Sequence, residues 1–224
     1  MKSQITSFGR RSFLIGSAGA VLAGCTTSSR VPGLRSRKFN LRSNFRANYG
    51  ALPNEEFPVP AVPKGELPRN FQRQLVSYKT SEKPGSVIVD TREFYLYHVK
   101  SDGMAMRYGV GLGRAGFAWS GRARIAWKRK WPTWTPPEEM IARQPELQKW
   151  GAANGGMPPG LNNPLGSRAL YIFQGKQDTL YRIHGTPEIS SIGKAVSSGC
   201  VRMVNQDVVH LYDQVRPGSP ILVA

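Results

Sequence analysis

Ser197-Ser198-Gly199-Cys200-Val201-Arg202-Met203, with His184-Gly185-Thr186 sixteen residues before the cysteine, sets a thiol and an imidazole on two short extended pieces of chain. Gly199 leaves room for a tight backbone corner in front of Cys200. Such a corner exposes a thiol and turns successive N–H groups, those of Gly199 and Cys200, toward one point, where they can hold a developing oxyanion. A thiol ionises near pH 8.5 and needs a base or a positive field to react at neutral pH. His184 is the candidate base: it ends the run Leu180-Tyr181-Arg182-Ile183 and is followed by a loop. One ring nitrogen would take the Cys200 proton while the other is fixed by a backbone carbonyl, that of Gly185. His98, in an alternating strand, and His210, on the polar side of a helix, read as structural or solvated.

The surroundings of this pair are strand and loop. Val87-Ile88-Val89 followed by Phe94 to Val99 is a hairpin signal, and Tyr108-Gly109-Val110-Gly111-Leu112 reads as a glycine-punctuated strand. Ala169 to Phe173 and Tyr181 to His184 form a second hairpin across Gly175 to Asp178, and Pro220 to Ala224 close the chain as a strand. Asn205 is read as the N-cap of a helix carrying Val208, Leu211, Tyr212 and Val215, stopped by Pro217-Gly218. The expected fold is mainly β and β-sandwich-like, with one or two short helices. The stretch from Gly113 to Arg168 holds all five tryptophans and reads as a long substrate loop or lid, with one short helix over Pro137 to Gln148 interrupted at Pro145.

The N-terminal region reads differently. Lys2, Arg10 and Arg11 precede an apolar run, Ser12 to Ala23, that is too short to span a bilayer. Arg10-Arg11-Ser12-Phe13-Leu14 is similar to a twin-arginine export motif, and Leu22-Ala23-Gly24-Cys25 to a lipobox cut before a lipidated cysteine. Residues 1–24 are therefore expected to be a signal peptide and Cys25 a lipidation site, which leaves Cys200 as the one cysteine in the body of an exported chain. Residues 25–80, rich in Pro, Ser and Arg, read as a basic tether, and 81–224 as the catalytic domain. Cleavage before Cys25 lowers the formal charge only from +17 to +14. That charge fits lipid headgroups and anionic cell-wall polymers as partners rather than nucleic acid. Ligand spacing gives no zinc or calcium site, and Gly109, Gly111 and Gly113 do not lead into a phosphate-binding helix.

His184-Gly185-Thr186, Ser191-Ile192-Gly193 and Ser197 to Met203, with Pro132 to Pro137, Asn163-Pro164-Leu165-Gly166 and Ala169-Leu170-Tyr171 upstream, resemble the active-site signature of the L,D-transpeptidases, the YkuD-type catalytic domain. The resemblance covers about Ser86 to Ala224 and implies a cofactor-free cysteine acyltransferase acting on peptidoglycan stem peptides. It makes Cys200 the nucleophile and His184 the proton acceptor and donor, with Gly199 supplying an oxyanion N–H and Gly185 orienting His184. Arg202, Ser198, Tyr171 and Trp134 would line the substrate site. Cys200 would attack the diaminopimelate–D-Ala bond of a tetrapeptide, release D-Ala, and pass the acyl group to a second diaminopimelate in a 3-3 crosslink, to a lysine of a wall-attached protein, or to a D-amino acid. The chain departs from the family at Ser198, where many members carry a second histidine. The alternatives are a hydrolase of the same fold, with water as acceptor, and a non-catalytic wall-binding lipoprotein. The expected location is periplasmic, anchored through Cys25, with the outer membrane preferred because Thr26 is not the aspartate of inner-membrane retention.

Overall fold

The computed structural model describes residues 44–113, 120–197 and 199–224; the expected signal peptide, Cys25, Trp119 and Ser198 lie outside the described residues. In chain order the elements are α1 (Asn44–Tyr49), β1 (Gln74–Ser77), β2 (Val87–Asp90), β3 (Tyr95–Val99), β4 (Met104–Gly109), β5 (Leu112–Gly113) and β6 (Gly121–Lys130). They continue with α2 (Glu138–Arg143), β7 (Arg168–Gln174), β8 (Gln177–Thr186), β9 (Ala195–Ser197), β10 (Val201–Val204), α3 (Asn205–Gln214) and β11 (Pro220–Val223). The fold is mainly β. One nine-stranded sheet runs in the order β1-β4-β3-β2-β11-β6-β7-β8-β10, and β5 pairs with β9 in a second, two-stranded sheet.

The large sheet curls on itself. Just past β4, Gly111 exchanges hydrogen bonds of 2.9 and 2.8 Å with Arg202 of β10, the far edge strand. A Cβ at Gly111 would stand 2.5 Å from the Ser191 carbonyl oxygen, so only glycine fits that crossing. The inner face carries Val87, Val89, Leu96, Tyr108, Ile125, Leu170, Ile172, Ile183, Val201, Met203 and Ile221, and α3 adds Val208 and Leu211. Each such side chain contributes on the order of 1.5–3 kcal/mol when fully buried.

Four sequence expectations change. Residues 44–80 are not tether: Tyr49, Val62 and Leu67 form a second core with Ile192 and Val204, and β1 is the sheet's edge strand. Their apolar positions are spaced by prolines rather than by a helix or strand period, which hid the burial. The stretch from Gly113 to Arg168 is not all loop, since β6 contributes ten residues between β11 and β7. Five Lys and Arg residues on β6 masked its strand character. The loop proper, from Trp131 to Ser167, holds α2 and then, from Pro145, a 3-10 turn. Asn205 is the first helical residue rather than the cap, and its side chain turns to Ser167. The glycine-punctuated strand breaks into β4 and β5.

Candidate active site

β10 lies parallel to β8, with Val201 opposite Ile183 and Arg202 opposite His184; on the other side of β8, Ala169 of β7 pairs with His184 and Tyr171 with Arg182. Strand alternation then assigns the faces. Leu170, Ile183 and Val201 point into the core, while Tyr171, Arg182, His184 and Arg202 share the opposite face. Cys200 immediately precedes β10 on that side, half-buried, with its thiol 3.9 Å from the Leu180 carbonyl that accepts from it. Leu180 has φ +62, a left-handed conformation that turns the β8 backbone at this point.

The glycines of the motif have a steric reason. Gly199 has φ +137, and a Cβ there would stand 2.8 Å from the Tyr181 ring. Behind it a Cβ at Gly113 would come within 2.6 Å of Gly199 Cα, so two backbones touch at the corner that presents the thiol.

His184 is 4% exposed, and its Nδ1 lies 2.6 Å from the Gly185 carbonyl oxygen. Burial holds its pKa down to about 4, opposed by the carbonyls of Gly185 and Pro164 and reinforced by the charges of Arg202 and Arg182. The ring is therefore neutral at pH 7 and able to accept a proton. Burial pushes the Cys200 thiol up, while the backbone of Arg182 and the charges of Arg182 and Arg202 pull it back. Arg202 Nη1 donates to Glu188 at 2.7 Å.

Support for this arrangement comes from α3 and the loop. Asn205 Oδ1 accepts from the Ser167 N–H (2.9 Å) and hydroxyl (3.1 Å). A Cβ on Gly185 or Gly166 would collide with that same oxygen, so Asn205 seats the backbone whose carbonyl faces His184. Asn163, 1% exposed, donates to the carbonyls of Pro132, Met157 and Pro158 and precedes Pro164.

Of the residues singled out in the sequence, His184 and Gly185 lie on β8, Arg202 on β10 opposite His184, Gly199 and Cys200 just ahead of β10, and Tyr171 on β7 opposite Arg182. Trp134 sits on the loop, paired with Met157 through backbone bonds of 3.0 and 2.7 Å. Arg182, Asn205, Asn163 and Glu188 were given no role at the site from the sequence. Arg182 was findable, because period-two alternation sets it on the face of His184. Of the other histidines, His98 is 3% exposed, and His210 is half-buried with its Nδ1 2.8 Å from the Tyr108 hydroxyl. Among the described residues no three His, Cys, Asp or Glu side chains converge as metal ligands.

A curled β sheet with a buried imidazole on β8 and a cysteine just ahead of its parallel neighbour β10 accompanies a sequence match over residues 84–223 to the YkuD L,D-transpeptidase catalytic domain, and the chain belongs to that family. It is similar to the probable L,D-transpeptidase YbiS of Escherichia coli K12, at 32% identity over 166 residues that cover 71% of this chain and 50% of that protein. It is similar also to the probable L,D-transpeptidase ErfK/SrfK of the same strain, at 29% identity over 215 residues, 92% of this chain and 65% of that one. The chain thus spans between half and two thirds of the length of these relatives. A solved chain from Brucella melitensis, described as a probable carnitine operon oxidoreductase, is 44% identical over 68% of this chain and 92% of its own, with a TM-score of 0.49.

Proposed function

We propose that this protein is a periplasmic peptidoglycan L,D-transpeptidase. Cys200 attacks the carbonyl of diaminopimelate in a tetrapeptide stem, and His184 takes the thiol proton as the C–S bond forms. The tetrahedral oxyanion is held by the Gly199 corner. Collapse breaks the bond to D-Ala, whose leaving nitrogen receives the proton from His184, and a thioester remains on Cys200. An acceptor amine then attacks the thioester, losing a proton to His184, which returns it to the departing thiolate. Arg202 orients a substrate carboxylate, and Tyr171, Ser198 and Trp134 complete the site. Export by the twin-arginine route and lipidation of Cys25 would hold the enzyme at the outer membrane, facing the wall.

The observation that supports this reading is the parallel register of β8 and β10, which sets Arg202, two residues after Cys200, opposite an imidazole kept neutral by burial and backed by the Gly185 carbonyl. The test is a product assay with a purified disaccharide tetrapeptide and a diaminopimelate-containing acceptor. D-Ala release and a 3-3 crosslinked product are expected from the wild type and from neither Cys200→Ala nor His184→Ala. D-Ala release without crosslink would make water the acceptor, and the same release by Cys200→Ala would overturn the reading.

A further inference from the structure

The face that carries the thiol holds a second built feature. Trp127 of β6, Tyr171 of β7 and Arg182 of β8 stand in register in one row across the strands. The Trp127 and Tyr171 rings stack with centroids 3.4 Å apart and planes within 11°. From the strand on the other side, Arg182 places its guanidinium 4.4 Å from the centre of the Tyr171 ring. Asp178 fixes that guanidinium with two bonds of 2.7 and 2.8 Å. Each member therefore has its rotamer set by the next. The stack leaves Trp127 40% exposed, at a point where β6 pairs with β7 alone, since β11 pairs only with Gly121 to Arg124 of β6. Tryptophan is ordinarily well buried, so an open, pre-ordered indole face is a feature to be explained.

One strand beyond Arg182 the same row reaches Cys200, the residue before Val201, whose partner is Ile183. Three strand spacings separate Trp127 from the thiol, about 14 Å. In a tetrapeptide stem three residues lie between the sugar and the scissile carbonyl, reaching about 10–11 Å when extended; the ether that joins stem to sugar spans the remainder. A pyranose offers a flat C–H face to an aromatic ring while its rim hydroxyls remain available for hydrogen bonds, so it matches an exposed indole flanked by polar groups.

We propose that the open face of Trp127 is a saccharide subsite that stacks the sugar ring bearing the stem peptide, so that the stem crosses Tyr171 and Arg182 to Cys200. This rests on the peptidoglycan reading given above. The expected signature is a preference for glycan-bearing substrate. For the full chain, kcat/KM for D-Ala release from a disaccharide tetrapeptide should exceed that from the sugarless tetrapeptide about tenfold, mostly through KM. Trp127→Ala should bring that ratio close to one, and Trp127→Phe should keep most of it. Equal kcat/KM for the two compounds in the wild type, or a ratio undiminished in Trp127→Ala, would overturn the subsite while leaving the transpeptidase reading in place. Release from neither compound would overturn the transpeptidase reading. The subsite is then decided by calorimetric titration with the peptide-free disaccharide: heat lost in Trp127→Ala supports it, and absence of heat in the wild type refutes it.

Discussion

Burial acts on Cys200 and His184 in opposite senses, raising the thiol and lowering the imidazole to about 4. At pH 7 both groups are consequently neutral, and in the proposed mechanism proton transfer to His184 would accompany attack instead of preceding it. The backbone of Arg182 and the charges of Arg182 and Arg202 temper the rise of the thiol. Iodoacetamide alkylation of Cys200, followed in a Cys25→Ala full chain, should therefore accelerate steadily into the alkaline range. A rate plateau between about pH 5 and 7, the mark of a preformed thiolate–imidazolium pair, would contradict this. The thiol, the imidazole and their glycines were legible in the sequence because each is chemically unusual where it stands. Asn205 was not, because an asparagine before a helical run ordinarily caps it; here its oxygen is taken by Ser167 and pressed against Gly185, contacts that depend on tertiary packing.

Among the elements, the hairpins β2–β3 and β7–β8, the closing strand β11 and helix α3 follow from apolar patterning, whereas β6 and the segment 44–80 do not. β6 buries only Ile125 fully and faces solvent with much of its length, so its pattern is charged. The segment before β1 is held by particular pairings instead of a period. Glu55 bonds both Arg168 Nη atoms at 2.6 and 2.8 Å, and Trp131 Nε1 donates to it at 3.0 Å. Gln206 donates to the Gly50 and Pro60 carbonyls, and Tyr49 to Asp207 at 3.1 Å. Removing the segment would uncover Ile192 and Val204 and leave Arg168 and Asp207 buried without these partners. A chain beginning at Ser81 should thus be insoluble or melt far below one beginning at Asn40, by calorimetry; equal melting temperatures would mean that the segment is tether after all.

Over the whole molecule, three imidazoles with lowered pKa values bear on acid stability. His98, His184 and His210 are each held to about 4, burial being the first cause in every case. Unfolded, they take up protons near pH 6.5. Their contribution to stability is present above that pH and is lost as pH falls toward 4. Asp207 works the other way: burial pushes it up to about 7, so its contribution is full below its ordinary value of 3.8 and is lost as pH rises through 7. With three groups against one, urea-unfolding stability should climb between about pH 4 and 6.5. His98→Leu should make the climb shallower, because both ring nitrogens of His98 are buried without a hydrogen-bond partner among the described residues; an unchanged slope would contradict the assignment. The same curled sheet that buries these rings also brings β10 beside β8, so the stability of the fold and the placement of the thiol have one origin. The most direct test is intact-protein mass spectrometry of the Cys25→Ala full chain incubated with a disaccharide tetrapeptide. A mass increase equal to the muropeptide less D-Ala, mapped to Cys200 and missing in Cys200→Ala, is the expected result; turnover with no adduct on Cys200, or an adduct on another residue, would contradict it.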